Sequence, residues 1–282
     1  MPPRTVHQFR AEAEVTGCCP MWEADDLVVA DSIGTLYRLD PVLNVKLLTR
    51  LQEPVQQLAW SATGEFGAAL LGKSTIVRLN AQLKQVWAIE VPFDCQCLAI
   101  DPYGVFTLVS ATEGGVVILD DRAKKASVFE TMRPLANVQF VIEEPTIIAA
   151  AEHGLLAAYD LTGKKIWDHA FWSNVSDLAV VQQDCQIRVA ALNQGIQVFD
   201  HHGESKGSVI LDGTVNHLAT NYSGNLTLAS TVEKQLFRLD EDGSTLWSAE
   251  CAEEILSVHV HAIQPVGYFS TEGKRVVRLE WK

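Results

Sequence analysis

The chain has 282 residues, 48% hydrophobic and 20% charged, which supplies ample material for a large core and excludes a disordered chain. Thirty-five Asp and Glu stand against 22 Lys and Arg, a formal charge of −13 with no basic cluster, so neither nucleic acid nor an anionic membrane surface is an expected partner. No apolar run reaches the ~18 residues of a membrane span, "MPPRTVHQFRAEAEV" has no signal-peptide core, and six cysteines in this length are no secreted disulfide framework, so a reducing, cytoplasmic setting is expected.

The first predicted element is "TVHQFR" (5–10), a short segment of strand composition. After it come a strand from Val15, "DLVVAD" (26–31), "LYRLD" (36–40) and "VKLLTR" (45–50), separated by short turn segments. This order then returns every forty residues. "LYRLD" becomes "IVRLN" (76–80), "VVILD" (116–120), "LAAYD" (156–160), "IQVFD" (196–200), "LFRLD" (236–240) and "VVRLE" (276–280). Val15, Val55, Cys95, Leu135, Val175, Val215 and Ile255 share one column, and "FGAALL", "VFTLVS", "TIIAAA", "QIRVAA", "NLTLAS" and "VGYFST" repeat the second strand. "QVWAIE", "KASVFE", "KIWDHA", "GSVIL" and "TLWSAE" repeat the outermost one. Four short strands per forty-residue period describe a propeller blade, and a blade that cannot bury both its faces alone must stack into a ring.

The seventh row stops two residues after its third strand, whereas the first row begins with a strand to spare. The expected fold is therefore an all-β, seven-bladed β-propeller with four antiparallel strands per blade. Residues 1–282 form one propeller domain, in which the strand 5–10 completes the blade formed by 251–280.

Rows such as "VQQLAWSATGEFGAALLGKSTIVRLN" resemble WD-repeat blades, although the defining Gly-His and Trp-Asp dipeptides are missing from every row. The turns "YDLTGKKIW" (159–167) and "LDEDGSTLW" (239–247), with Trp87 in the column of Trp167 and Trp247, are similar to blades of pyrroloquinoline-quinone-type propellers. The resemblance implies a toroid and carries over no catalytic residue, because propellers host unrelated functions.

Several constellations could carry chemistry. Adjacent Cys18 and Cys19 invite comparison with the vicinal disulfide of some quinone-dependent propeller enzymes, but their columns otherwise hold Leu, Val and Ala, which reads as core. His259 and His261 are two apart on a strand and would share a face, with Cys19 as a conceivable third zinc ligand; a histidine satisfied at the end of a blade is the plainer reading. His201 and His202 read as solvated turn residues. "DLTG", "DHHG" and "DEDG" read as hairpin turns rather than calcium loops. No metal, cofactor or catalytic residue is assigned.

Two groups remain. The innermost strands carry a polar or tiny column, Gly17, Gln57, Cys97, Asn137, Asp177, His217 and Ser257. It reads as the lining of a watery channel, with Gln57, Asn137, Asp177, His217 and Ser257 as a candidate small-ligand site. The turns "VPFD" (91–94), "TMRP" (131–134) and "FWSN" (171–174) should share one face, where Phe93, Met132, Arg133, Phe171 and Trp172 form a candidate partner-binding patch amid acidic turns. The competing reading is that these aromatics fold inward over the blade junctions. The expected function is a non-catalytic protein-binding scaffold or assembly subunit, its partner offering a basic surface. The alternative is an enzyme or small-ligand propeller working at the channel.

Overall fold

The structure, a computed structural model, describes residues 2–282. Strand β1 (Thr5–Arg10) precedes the first blade, which is β2 (Val15–Met21), β3 (Asp26–Asp31), β4 (Thr35–Leu39) and β5 (Val45–Arg50). Blade 2 is β6 (Val55–Trp60), β7 (Phe66–Leu71), β8 (Thr75–Asn80) and β9 (Gln85–Glu90). Blade 3 is β10 (Cys95–Ile100), β11 (Thr107–Ala111), β12 (Gly115–Leu119) and β13 (Lys125–Glu130). Blade 4 is β14 (Asn137–Phe140), β15 (Thr146–Ala151), β16 (Leu155–Asp160) and β17 (Lys165–Ala170). Blade 5 is β18 (Val175–Val180), β19 (Ile187–Ala191), β20 (Gly195–Phe199) and β21 (Ser205–Val209). Blade 6 is β22 (Val215–Thr220), β23 (Thr227–Thr231), β24 (Gln235–Leu239) and β25 (Thr245–Glu250). Blade 7 is β26 (Ile255–Val260), β27 (Val266–Thr271) and β28 (Arg275–Glu280), and β1 is its outermost strand. All seven sheets are antiparallel, and β1 pairs with β28 from Thr5 opposite Glu280 to Arg10 opposite Arg275, as the surplus N-terminal strand predicts. Strand β21 begins two residues before the "GSVIL" segment, because Ser205 takes the position opposite Phe199 that Thr245 takes opposite Leu239.

The acidic column closing each row has a local cause. Asp40 Oδ1 accepts the N–H groups of Val42 and Asn44, and Asn80, Asp120, Asp160 and Asp200 repeat the pattern two and four residues ahead. Each side chain thus caps a tight turn whose fourth residue has positive φ: Leu43, Leu83, Ala123, Gly163 and Gly203. The residue in that conformation makes a bulge, so the third and fourth strands slip by one in blades 1 to 6. No turn joins β28 to β1, and that pairing runs without a bulge.

Apolar clusters fill the spaces between neighbouring sheets; one joins Val138, Phe140 and Tyr159 of blade 4 to Leu108, Val116 and Ile118 of blade 3. At the outer rim the junctions from blade 1 to blade 5 are each tied by a donor reaching the next blade's capped turn. Trp87 Nε1 donates to Asp121 O (3.0 Å), Ser127 Oγ to Thr162 O (2.8 Å) and Trp167 Nε1 to His201 O (2.8 Å). Leu47 occupies the same column in blade 1 and cannot donate, and there Arg38 Nη1 bonds Ala81 O instead at 2.6 Å. The Trp167→Phe variant loses the hydrogen bond to His201 O and part of the ring's packing on Gly203; a loss of about 1–2 kcal/mol is expected in urea unfolding.

Candidate functional site

Turns leading from an outermost strand to the next innermost strand lie on one face of the disc, beside the turns joining second and third strands. Thr131 N–H bonds Gly114 O, Phe171 N–H bonds Gly154 O and Val175 N–H bonds Glu152 O, so each such turn is pinned to its neighbours. Carboxylates predominate on this face, among them Glu12, Glu14, Glu53, Asp94, Glu253 and Glu254.

The five patch residues divide. Trp172 is 98% exposed and Met132 85%, at equivalent positions of consecutive turns, and Arg133 between them in sequence is also exposed. Phe171 instead packs beside His169 and Phe199, with ring centroids 6.1 Å away in each case, and covers the core between blades 4 and 5. Phe93 packs in the same way on Leu70, Val91 and Leu98. Two of the aromatics are thus covers for blade junctions, and the outward-facing part of the patch is Met132, Arg133 and Trp172.

The polar inner column reaches sideways as well as toward the channel. Gln57 Nε2 donates to Gln96 O and its Oε1 accepts Leu98 N–H, both at 2.8 Å, so one amide ties blade 2 to blade 3. Gln139, two positions further along its own strand, does the same to Leu178 O and Val180 N–H. Gly17 fits this geometry, since a Cβ there would lie 2.5 Å from the Leu58 Cβ. Ser257 and Ser270 share a hydrogen bond at 2.7 Å, and the side-chain amide of Asn137 makes none with any described residue. Asp177 accepts Leu178 N–H at Oδ1 and Leu218 N–H at Oδ2, each at 2.8 Å, and His217 Nδ1 lies 4.0 Å from Oδ2.

The channel widens to a cavity of about 320 Å³ toward the face of the first-to-second-strand turns, with Cys19, Ala59, Ala99, Gln139, Asp177 and His259 in its wall. Of the five candidate channel residues only Asp177 lines it; Gln57, Asn137, His217 and Ser257 lie elsewhere along the inner strands. Burial dominates the electrostatics here. It pushes the Asp177 carboxyl up to about 7 against its two backbone N–H bonds, and it holds His259 down at about 4, with His217 adding to the effect. His217 is lowered for the same reason. Cys19 and Cys97 are pushed up to about 12 by burial, so both thiols keep their protons and neither is a nucleophile at neutral pH.

Cys18 and Cys19 are free thiols that point to opposite faces of β2. Cys18 packs with Tyr268 and Val276, and Cys19 with Trp60 and Leu58, donating to Leu58 O at 3.2 Å; this is core chemistry rather than a quinone platform. The two histidines of "SVHVH" also part, because β26 ends at Val260. His261 Nδ1 accepts Ile263 and Gln264 N–H groups, which leaves Nε2 toward Asp25 Oδ1 at 3.4 Å, a turn cap at the junction of blades 7 and 1.

A second cavity, of about 270 Å³, opens on the turn face between blades 4 and 5, lined by Ala136, Asn137, Glu152, Asn174, Ser176 and Leu192. Glu152 and Asn174 escape sequence reading because they come from different columns, and only the stacking of two blades brings them beside Asn137. The signal that could have found them is the nearby pair of exposed apolar turns.

No protein-family model matches the chain, and no curated protein matches it. Among solved structures, the β-propeller domain of Cps50 (Swd1) from Myceliophteria thermophila has a TM-score of 0.87 over 100% of both chains at 15% identity. The likeness is one of fold: the chain is a seven-bladed β-propeller that resembles WD-repeat proteins in architecture.

Proposed function

We propose that this propeller is a non-catalytic platform, or a subunit of an assembly, that binds another protein through its outer-to-inner turn face at blades 4 and 5. The observation that carries the reading is the near-complete exposure of Trp172 and Met132 at equivalent places in consecutive turns, with Arg133 beside them. Trp, Met and Arg are enriched in protein interfaces, and a large aromatic held in water has no stabilising role in the isolated fold. The surrounding carboxylates favour a partner with basic residues and make association sensitive to salt. The Swd1 β-propeller supports the reading only as a propeller of the same architecture.

The test separates Phe171 from Trp172. Affinity capture at low salt should fall sharply with Trp172→Ala and Met132→Ala, both with unchanged melting temperature. Phe171→Ala should cost about 2 kcal/mol of stability, because it opens a gap against Phe199. Full capture by Trp172→Ala would sink the reading. A second reading, a small ligand in the channel, draws on His259 Nε2, buried and without a partner. A thermal-shift screen with divalent ions, sugars, lactones and quinones should then show a shift that His259→Gln abolishes, and no shift with any of them would end it.

A further inference from the structure

The cavity between blades 4 and 5 adjoins in sequence the turns that carry the exposed patch, since Asn174 ends one of them and Ala136 follows the other, and it has an uneven chemistry. Its walls are apolar at Ala136, Val175 and Leu192, and its polar groups are Asn137, Glu152, Asn174 and Ser176. Two of these are unpartnered among the described residues: the carboxylate of Glu152 makes no ion pair or side-chain hydrogen bond, and the amide of Asn137 makes none. The Ser176 hydroxyl has its hydrogen directed inward, to Ala190 O or Val215 O, which leaves its lone pairs as acceptors. Asn174 Oδ1 meets His153 Nδ1 at 3.3 Å. The free acceptors are thus the Glu152 carboxylate, Asn137 Oδ1 and the Ser176 lone pairs, beside the amide N–H groups of Asn137 and Asn174, with one negative charge and no cation among the lining residues. An ammonium group has three donors and no acceptor, and its methylene stem packs well on apolar walls. A carboxylate or phosphate would meet Glu152 with the same sign.

We propose that this cavity receives the ammonium group of a lysine on the bound partner, its stem passing between Met132 and Trp172. The assignment rests on the platform reading above and names the side chain that reading requires. Glu152 supplies the charge, Asn137 and Ser176 supply acceptors, and Ala136 and Leu192 exclude water from the stem. Trp172 at the rim adds the face of an indole to a cation in transit.

The experiment uses the full chain, labelled for nuclear magnetic resonance of side-chain amides, and the capped tripeptide acetyl-Leu-Lys-Leu-amide as probe. The expected result is saturable movement of the Asn137 and Asn174 amide signals and of the Trp172 indole N–H. The acetyl-lysine and norleucine peptides should leave the two asparagines unmoved. Glu152→Gln should weaken the lysine peptide by about tenfold. Equal binding of the norleucine peptide, an arginine peptide that binds as well or better, no movement at Asn137 and Asn174, or indifference to Glu152→Gln would each overturn the assignment. Partner capture keeps the two readings apart. Loss with Trp172→Ala but not with Glu152→Gln retains the platform and removes the lysine pocket, whereas no loss with either removes the platform itself.

Discussion

Deleting residues 1–10 is expected to lower the melting temperature by roughly 10 °C or more and to make the protein aggregate as it unfolds. Blades 1 to 6 are each closed by a hairpin, but blade 7 is completed only by β1, from the far end of the chain. Its six paired residues are extended at both ends by hydrogen bonds from Arg4 N–H to Glu280 O and from Ala11 N–H to Lys274 O. Phe9 packs edge-on against Tyr37 at 5.0 Å and joins the cluster of Tyr268, Val276 and Leu39, so β1 also fastens blade 7 to blade 1. Truncation removes the strand pairing and the Phe9 contact and leaves β28 as an open edge beside Val277 and Leu279. Losing a partly buried Phe together with a row of ladder bonds amounts to about 5 kcal/mol. Calorimetry with light scattering measures both effects, and an unshifted, aggregation-free transition would contradict the latch.

Replacing Asp177 with Gln is expected to stabilise the protein at pH 8 and to do so much less at pH 5. In the folded state the carboxyl titrates near 7, against 3.8 for the unperturbed group. Its proton is therefore held more tightly folded than unfolded, and that contribution is complete below about pH 4 and lost as pH rises toward 7. Carrying the charge at pH 8 costs up to about 4 kcal/mol, reduced because the side chain is 26% exposed. His259 works in the opposite direction: it stays neutral down to about pH 4 in the fold, so stability falls as pH drops from 6.5 toward 4. The two slopes offset each other in the native protein, and Asp177→Gln uncovers the histidine's. Glutamine is the residue blade 2 uses in this column, where it meets one C=O and one N–H of the next inner strand. Urea unfolding at both pH values decides the matter, and an identical stability change at pH 5 and pH 8 would show that the carboxyl is not desolvated.

The ring was legible in the sequence because its periodicity is enforced by the same turn in blades 1 to 6. An Asp or Asn is required at the end of a row wherever a four-residue turn needs its amides capped, so it recurs visibly in the first six rows. The N-terminal strand was legible for the complementary reason that an unfilled column in row seven matched a surplus one in row one. What rows cannot show is reach between blades. Gln57 looks like channel lining in its own column, and its partners lie 39 and 41 residues away on a strand that alignment places in the next row. Phe171 and Trp172 are neighbours of similar composition with opposite fates, fixed by the space that Phe199 and His169 leave beside one of them. Hydrophobicity alone carries no such direction. The cavity holding Asn137 and Glu152 exists only once two blades are stacked.

The working surface can be located directly by amide hydrogen exchange on the propeller alone and in complex with the partner recovered at low salt. Binding is predicted to slow exchange in residues 131–137 and 171–176, together with the turn at 152–154, and to leave the opposite face unchanged. Protection confined to 101–105 and 181–186, around the wide end of the channel, would contradict the account.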